Sequence, residues 1–309
     1  MRLFALLIAL LSACGGNVTT GVETITAVDG QTLLAFAGGQ LYGTADDGVW
    51  RLNPVPGAPR ATIVPSNHPL FDLLTDAQNL FFTQGAGEAS FATVRKAALD
   101  GTAASDVAPN AQRGSVRQDA TYLYWFDRGT ATAGLVRAPK SGGPMQKLAD
   151  AGLTLVPEIA VDETSVYWLD STQPPRLMRV AKSGGAPAVF LADASPSLLQ
   201  NDGADLYFLD EQDGATHVFA LSKATAERRE IVREVNRFWL DGTFVYFSAY
   251  GKAKNPRQAF KRFDRASGKT DILLDSLGTL SLVQVTFDAS AIYWADGHDV
   301  KKLNKPATP

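Results

Sequence analysis

The sequence has few of the residues that carry most metal and redox chemistry in proteins. Its 309 residues include one cysteine, so no disulfide can form within the chain, and three histidines, His68, His217 and His298. The histidines stand far apart, without the close His/Cys spacing of zinc sites. We therefore expect no histidine-based metal site, and we expect these three side chains to be solvent-exposed.

An excess of charge of one sign is also missing. The chain has 29 basic and 32 acidic residues, a net charge of −3. Proteins that bind nucleic acid need a strongly basic face, so this balance argues against a nucleic-acid partner. The sequence contains no Gly-x-Ser-x-Gly elbow, phosphate-binding loop or zinc-protease helix motif, and no catalytic residue is assigned. A binding protein is expected rather than an enzyme.

No hydrophobic run reaches the roughly 20 residues that a membrane-spanning helix requires. A shorter apolar run, residues 3–11, follows Met1-Arg2 and is followed by small residues, as in an export signal. The junction Leu11-Ser12-Ala13-Cys14 resembles the lipobox of bacterial lipoproteins, in which the cysteine is lipidated and becomes the N-terminus. The alternative is an ordinary signal peptide that is cleaved near Ala13, with an incidental cysteine.

The lipobox resemblance implies a division of the chain into three parts. Residues 1–13 are expected to be the signal peptide, residues 14–21 the lipidated Cys14 with a flexible tether, and residues 22–309 one domain. Acylation by more than one chain anchors a protein stably to a membrane. We therefore expect a cell-envelope protein that lies outside the cytoplasm, on the periplasmic or outer-surface side, and contacts the membrane through its N-terminal lipid.

An aliphatic–aromatic pair recurs about every 40 residues. The pairs are Leu41-Tyr42, Leu80-Phe81, Leu123-Tyr124, Val166-Tyr167, Leu206-Tyr207, Val245-Tyr246 and Ile292-Tyr293. A helical repeat of this length would need long stretches of 3.6-residue periodicity, and the sequence has none. The period is typical of propeller blades, each of which contains four short strands.

An aspartate stands four positions before the aliphatic residue in six of the seven units. These are Asp76, Asp119, Asp162, Asp202, Asp241 and Asp288, whereas the first unit has Ala37. An aspartate in a tight turn accepts hydrogen bonds from backbone NH groups shortly after it. The pattern therefore predicts turn-forming aspartates between two strands and not a catalytic carboxylate cluster.

The seventh unit ends before its outer strand, and the β-prone segment 22–28 is a spare strand at the other end of the domain. We expect this segment to complete the last blade, which would leave no open sheet edge. The predicted fold is therefore an all-β, seven-bladed β-propeller with four strands per blade and a ring closed by the N-terminal strand. Six or eight blades fit the strand count less well.

Two other residue types recur with the blades. Trp125, Trp168 and Trp294 share one repeat position, which indicates packing between blades. A basic residue recurs in the strand after the aliphatic–aromatic pair, and we expect this series to form hydrogen bonds between blades. The series is Arg51, Arg95, Arg137, Arg179, Arg262 and Lys302.

Three units read Tyr124-Trp125-Phe126-Asp127, Tyr167-Trp168-Leu169-Asp170 and Tyr293-Trp294-Ala295-Asp296. They resemble the tyrosine-tryptophan-x-aspartate (YWTD) repeats of low-density-lipoprotein-receptor type propellers, over residues 30–304 approximately. That family implies six blades, whereas this sequence has seven units, and the first, second and sixth units lack the final aspartate. The resemblance implies a fold and no particular function.

Propellers usually bind ligands at the axial face, where the innermost strands begin. Counting four residues back from each turn aspartate places a mixed polar set at this opening: Asp72, Ser115, Glu158, Leu198, Arg237 and Gln284. Asp72, Glu158, Arg237 and Gln284 are the predicted ligand-binding residues. One interpretation is a pocket in which Asp72 and Glu158 supply oxygens to a divalent cation. In the other, Asp72, Glu158 and Arg237 satisfy one another around a water-filled channel.

The sequence thus leaves three functional classes open. The first is an interaction module that binds a protein or a saccharide partner through one propeller face, without a cofactor. The second is a propeller hydrolase or lyase that uses a divalent cation at the axial face. The third is a structural envelope protein without a small ligand.

Overall fold

The computed structural model describes residues 21–28, 32–85, 91–129, 133–150, 158–171, 174–192, 196–249, 259–275 and 284–306. All regular secondary structure in these ranges is β-strand, paired antiparallel. None of this part of the chain forms a helix with the length and hydropathy of a membrane span. The predicted signal peptide and Cys14 lie outside the described residues.

Successive strands pair in chain order as units of four. Unit 1 contains β2 (Leu34–Ala37), β3 (Gln40–Ala45), β4 (Gly48–Leu52) and β5 (Ala61–Pro65). Unit 2 contains β6 (Leu70–Thr75), β7 (Asn79–Gly85), β8 (Phe91–Ala98) and β9 (Ser105–Gln112). Unit 3 contains β10 (Arg117–Gln118), β11 (Tyr122–Asp127), β12 (Gly134–Pro139) and β13 (Gln146–Ala149). Unit 4 contains β14 (Ile159–Val161), β15 (Ser165–Asp170), β16 (Arg176–Ala181) and β17 (Ala188–Leu191).

The remaining strands continue the pattern. Unit 5 contains β18 (Ser197–Asp202), β19 (Asp205–Gln212), β20 (Ala215–Ser222) and β21 (Arg228–Val232). Unit 6 contains β22 (Val235–Asp241), β23 (Phe244–Ala249), β24 (Ala259–Asp264) and β25 (Thr270–Leu274). Unit 7 contains β26 (Val285–Phe287), β27 (Ala291–Ala295), β28 (Asp299–Asn304) and the N-terminal strand β1 (Glu23–Ala27). Units 2 and 3 are joined into one larger sheet by the pair Asp127↔Ala111.

The N-terminal strand completes the last sheet, as the sequence predicts. β1 pairs antiparallel with β28 from Glu23↔Lys302 to Ala27↔Asp299. Ile25, in the middle of β1, is buried against unit 1 and unit 7. Because β28 would otherwise be an edge strand, this pairing covers an exposed row of backbone NH and CO groups.

The second strand of each unit is apolar on both faces, so each sheet must be covered on both sides. In unit 3, for example, Leu123, Tyr124, Trp125 and Phe126 are all buried. Seven hydrophobic clusters of described residues lie between successive units, and one of them joins unit 7 to unit 1. Trp125, Trp168 and Trp294 belong to these clusters, which confirms their predicted packing role. The all-β, four-stranded prediction is confirmed, while the number of blades stays a prediction.

The turn aspartates fix the connection between the first and second strands. The Oδ1 atom of Asp119 accepts hydrogen bonds from the backbone NH groups of Thr121 and Tyr122, both at 2.7 Å. Asp76, Asp162 and Asp288 accept the equivalent pair of backbone hydrogen bonds. The predicted turn-forming role is therefore confirmed at these four positions.

In three of these carboxylates, those of Asp76, Asp119 and Asp162, the second oxygen binds a cation from the following unit, and Asp202 and Asp241 also bind one. Lys140 Nζ lies 3.1 Å from Asp76 Oδ2, and Lys223 Nζ lies 3.2 Å from Asp162 Oδ2. The equivalent pairs are Lys182–Asp119, Arg265–Asp202 and Lys305–Asp241. Each cation comes directly after the third strand of its unit. We call this contact between units the aspartate latch.

Both junctions of unit 1 lack the latch. Unit 1 has Ala37 at the aspartate position, and unit 2 has Leu99 at the cation position. These two side chains pack with the hydrophobic cluster between units 1 and 2. On the other side, Asn53 of unit 1 stands at the cation position that corresponds to Asp288 of unit 7. Neither neighbour of unit 1 is therefore joined to it by an ion pair between the turn-aspartate position and the cation position.

The predicted role of the basic series within the third strands is wrong at several positions. Arg95 and Arg137 bond the side chains directly opposite them on their own outer strands, Asp106 and Gln146. Arg262 likewise bonds Asp271, although it also donates to the carbonyl of Pro306, after unit 7. Arg95 and Arg137 thus bond within their own units, whereas the cations that follow five of the third strands bond the preceding unit.

The latch is expected to contribute measurably to stability. Although burial acts to raise it, hydrogen bonds from Lys182, Tyr124 and the backbone NH groups of Tyr122 and Thr121 lower the pKa of Asp119 to about 2. A double-mutant cycle of Asp119→Asn and Lys182→Met, measured by urea unfolding at pH 7, should give a coupling of about 1–2 kcal/mol. Because the folded-state pKa is lowered, the coupling is present above the ordinary carboxyl pKa and is lost as the pH falls towards 2.

The matched control is the pair Lys147–Asp150, whose side chains are 39% and 94% exposed against 17% for each latch partner. An exposed pair of this kind should couple by less than about 0.5 kcal/mol. Equal coupling in the two cycles would contradict a special role for the latch.

Candidate ligand site

The first strands of the units converge on one cavity of about 490 Å³. Its wall contains residues from every unit, beginning with Leu33 before β2 and ending with Gln284 and Val285 at the start of β26. First strands also contact each other directly: β2 lies against β6 and β26, and β18 lies against β14 and β22. The cavity therefore lies at the place where the four-stranded units meet.

The predicted axial residues come together in this cavity, with one exception. Asp72, Glu158, Arg237 and Gln284 all line it, and so does Leu198. Ser115 does not. Its buried hydroxyl donates to the carbonyl of Gln112 at 2.7 Å and accepts from the backbone NH of Phe126 at 3.3 Å. The ligand-binding role of the four predicted residues stays a prediction.

The sequence interpretation missed two arginines of the cavity wall. Arg113 and Arg117 both line it, on either side of Ser115 in the chain. Ser115 between them turns away from the cavity, and β10 begins only at Arg117, so the alternation of an extended chain does not account for the position of the two arginines. Trp239, two residues after Arg237 in the strand β22, also lines the cavity, and the alternation of side chains along a strand could have indicated it.

Irregular strand pairing places several of these side chains. The register of β6 shifts between Leu70 and Leu73, where Asp72 lies, and that of β22 shifts between Val235 and Arg237. A third shift in β18 contains Leu198, which has a φ of +53°. Bulges turn a side chain out of the regular alternation and are common next to functional sites. The cavity wall thus departs from regular strand geometry at Asp72, Leu198 and Arg237.

Asp72 is a buried carboxyl group at the cavity wall, 7% exposed. Its Oδ2 accepts a hydrogen bond from the Thr83 hydroxyl at 2.7 Å and another from the backbone NH of Gly114 at 3.1 Å. Burial raises the pKa of Asp72, and these hydrogen bonds and the charge of Arg117 only partly offset the effect. The neutral acid is therefore favoured more strongly here than at an exposed aspartate.

Glu158 and Gln284 connect the first strands of different units. Oε2 of the buried Glu158 accepts a hydrogen bond from the backbone NH of Leu199 in unit 5 at 3.1 Å. Nε2 of Gln284 donates to the carbonyl of Leu34 in unit 1 at 3.1 Å. These contacts hold both side chains in fixed positions at the cavity wall.

The charged residues of the predicted set form no direct ion pairs with one another. Within the described residues, no ion pair joins Asp72, Glu158 and Arg237, since both carboxylates accept hydrogen bonds from other groups. The interpretation in which these three side chains satisfy one another around a channel therefore has no direct contact in its support and stays a prediction. Arg237 lies half-buried at the wall with its charge directed to no protein carboxylate of this set.

Metal ligands are not clustered in the part of the chain that the structure describes. No group of three or more His, Cys, Asp or Glu side chains there could hold a metal ion. The predicted exposure of the histidines is wrong for His217, which lies in β20 and is 4% exposed. Its Nδ1 is 3.0 Å from Glu230 Oε2, and its ring stacks on Phe219. A divalent cation at Asp72 and Glu158 stays a prediction.

Solved structures with similar folds cover nearly the whole chain. An oligogalacturonate lyase from Vibrio parahaemolyticus has a TM-score of 0.67 and 11% identity, covering 95% of this chain and 99% of that one. Virginiamycin B lyase from Staphylococcus aureus has a TM-score of 0.66 and 12% identity, covering 93% and 99%. This chain has a β-propeller fold. An oligogalacturonate lyase in complex with manganese has a TM-score of 0.64 and 13% identity, covering 94% and 90%.

A chain of the nidogen/laminin complex is a further similar structure, with a TM-score of 0.50 and 17% identity, covering 71% of this chain and 85% of that one. The YWTD-like interpretation is supported as far as the propeller fold. No family model matches the sequence, and no curated protein matches it. At these identities the likeness shows the fold and leaves the function to the site.

Replacing Asp72 by asparagine tests the electrostatic state of the cavity wall. The side-chain carbonyl introduced by Asp72→Asn can accept both hydrogen bonds that Asp72 accepts. Because burial raises the folded-state pKa, ionisation of Asp72 costs stability as the pH rises above the ordinary carboxyl pKa. The variant should therefore be more stable at pH 7, by about 1.4 kcal/mol for each unit of raised pKa, and the gain should vanish near pH 3.8.

Urea unfolding at a series of pH values measures this difference. The control is Asp150→Asn, since the Asp150 side chain is 94% exposed and its replacement should change stability by less than about 0.5 kcal/mol. Loss of stability on Asp72→Asn at pH 7 would show that the protein favours the ionised carboxylate.

Proposed function

We propose that this chain is a seven-bladed propeller lipoprotein of the cell envelope, which binds a protein or a saccharide at its axial cavity. Seven blades are supported by the seven four-stranded units and by the hydrophobic cluster that joins unit 7 to unit 1. The hydrogen bond from Gln284 to the Leu34 carbonyl links the first strands of the same two units. A closed ring in which each unit is one blade accounts for all three observations.

The cavity is the observation that carries the binding function. Fixed polar side chains from different units converge in it, next to apolar and aromatic residues. Small-molecule sites of about 300–1,000 Å³ typically combine apolar walls with a few placed polar groups, and this cavity fits that description. A structural protein without a ligand does not need several charged side chains around one cavity, because burying charges costs free energy.

Lipid attachment at Cys14 is the proposed anchor. Cys14 is the only thiol and follows an apolar run and two small residues. The described domain begins a few residues later with β1, which packs into the last sheet. The tether is therefore short, and the propeller lies close to the membrane surface outside the cytoplasm.

The anchor is tested by expressing the full chain in a bacterium and comparing it with a Cys14→Ala variant. Lipidation at Cys14 predicts that the chain partitions with the membrane and carries an N-terminal acylated cysteine in mass spectrometry. Cys14→Ala should release it to the soluble fraction, whereas the matched change Ser12→Ala should leave it in the membrane. Membrane retention of Cys14→Ala would argue against the lipid anchor.

A lyase or hydrolase that uses a divalent cation is the second proposal. Two of the similar structures are oligogalacturonate lyases, one of them in complex with manganese. In this chain Asp72 and Glu158 line the cavity and could supply carboxylate oxygens to such a cation. A bound cation stabilises the folded state, so manganese should then raise the melting temperature, and chelator should reverse the rise.

A charge-swap variant of the cavity, Glu158→Lys with Arg237→Glu, distinguishes the interaction module from the metal-dependent enzyme. The control variant swaps an ion pair away from the cavity, Lys147→Glu with Asp150→Lys. Lys147 lies in the outer strand β13 of unit 3, and Asp150 follows that strand. Purified lipidated chains are used to capture partners from solubilised membranes and from a saccharide array. A partner retained by the control and lost by the cavity swap supports the interaction module.

The same two variants test the second proposal when their melting temperatures are measured with and without manganese. A manganese-dependent rise in melting temperature that the cavity swap abolishes supports the metal-dependent enzyme. Identical partners for both swaps, with no metal effect, would contradict any function at this cavity.

A further inference from the structure

Arg237 presents a guanidinium group at the cavity, and the described part of the chain supplies no acceptor for it. Among the residues that the structure describes, no carboxylate lies within ion-pair distance of it, and its side chain forms no hydrogen bond. Its neighbours in the cavity are engaged. Arg117 donates to the carbonyl of Val116 at 2.9 Å, and Arg113 lies over the ring of Phe71 at 4.1 Å. A half-buried arginine without an acceptor is stabilised when a ligand supplies one.

The cavity is positive, although the whole chain is negative. Three arginines line it, against two carboxyl groups, while the net charge of the protein is −3. Asp72 already accepts two hydrogen bonds from Thr83 and Gly114, and its burial works against ionisation. A ligand with one negative charge therefore brings the cavity closer to neutrality, whereas a positively charged ligand would add to the repulsion among the three arginines.

The rest of the wall suits a hydroxylated molecule. Glu158 and Gln284 carry oxygens that can accept hydrogen bonds from hydroxyl groups, and one contact with a neighbouring unit holds each of them in place. Trp239 adds aromatic surface for an apolar ring face. The volume of about 490 Å³ accommodates a ligand of one or two sugar rings.

We infer that the axial cavity binds a hydroxylated monocarboxylate, a sugar acid that is either free or at the end of an acidic saccharide, with its carboxylate on Arg237. Arginine and carboxylate form a planar, two-bond contact that an ammonium group cannot reproduce. This inference rests on the proposed binding function of the cavity and adds the chemical class of the ligand.

Calorimetric titration of the full chain in detergent tests the inference with D-glucuronate as the probe. Three control ligands are titrated in the same way. D-glucose and the methyl ester of glucuronate lack the negative charge, and inorganic phosphate is an anion without a carboxylate. Glucuronate should bind saturably and about tenfold or more tightly than each of these three, since one charge-assisted contact is worth that factor.

Variants identify the residue that holds the charge. Arg237→Gln should weaken glucuronate binding about tenfold or more, and Arg237→Lys should restore only part of it. The control is Arg229→Gln, because Arg229 lies on the outer strand β21 and pairs with Asp205 outside the cavity. Its affinity for glucuronate should equal that of the unchanged protein.

Three results would overturn the inference: no saturable binding of glucuronate, equal binding of glucose or phosphate, or unchanged binding by Arg237→Gln. An oligosaccharide that ends in glucuronate distinguishes a free sugar acid from the end of an acidic saccharide. Tighter binding of the oligosaccharide than of free glucuronate indicates the saccharide end, and equal binding indicates the free acid. If the cavity charge swap loses a partner but glucuronate fails, the ligand class is wrong and the binding function stands. If the cavity charge swap loses no partner and glucuronate does not bind, both the ligand class and the proposed binding function are wrong.

Discussion

One carboxylate joins the local turn to the neighbouring sheet, and much of the structure depends on this contact. In units 2, 3 and 4, Oδ1 of the turn aspartate holds the connection between two strands, while Oδ2 binds a cation from the next unit. A four-stranded sheet with two apolar faces cannot be stable alone, because both faces must be buried. The aspartate makes correct turn formation and correct docking of the next sheet depend on the same side chain.

The same turn explains why much of the site could be predicted from the sequence. A fixed turn sets the register of the first strand, so a count of four residues back from Asp76, Asp162, Asp241 or Asp288 reaches the cavity. The count failed at Ser115, where the hydroxyl turns to the backbone of Gln112. The latch cations were missed because periodicity shows that a residue recurs and does not show its partner in the next unit. For the same reason the third-strand arginines were assigned to the wrong neighbours.

The cavity illustrates how a repeat fold acquires an individual site. The repeat supplies equivalent positions around one cavity, and the residues at these positions differ: a carboxyl group at Asp72, a guanidinium at Arg237, an amide at Gln284. Bulges in β6, β18 and β22 then change the direction of particular side chains at the cavity. Stability therefore depends on what the units share, whereas recognition depends on where they differ.

The two junctions of unit 1 differ in kind from the latched ones. Ala37 and Leu99 replace the ion pair by apolar packing on one side, and Asn53 removes the cation on the other. Salt screens partly exposed ion pairs, and cooling weakens apolar contacts. High ionic strength therefore loosens the latched junctions and spares those of unit 1, while low temperature weakens the apolar clusters at all seven junctions. The place at which the domain first opens thus depends on the solution around it.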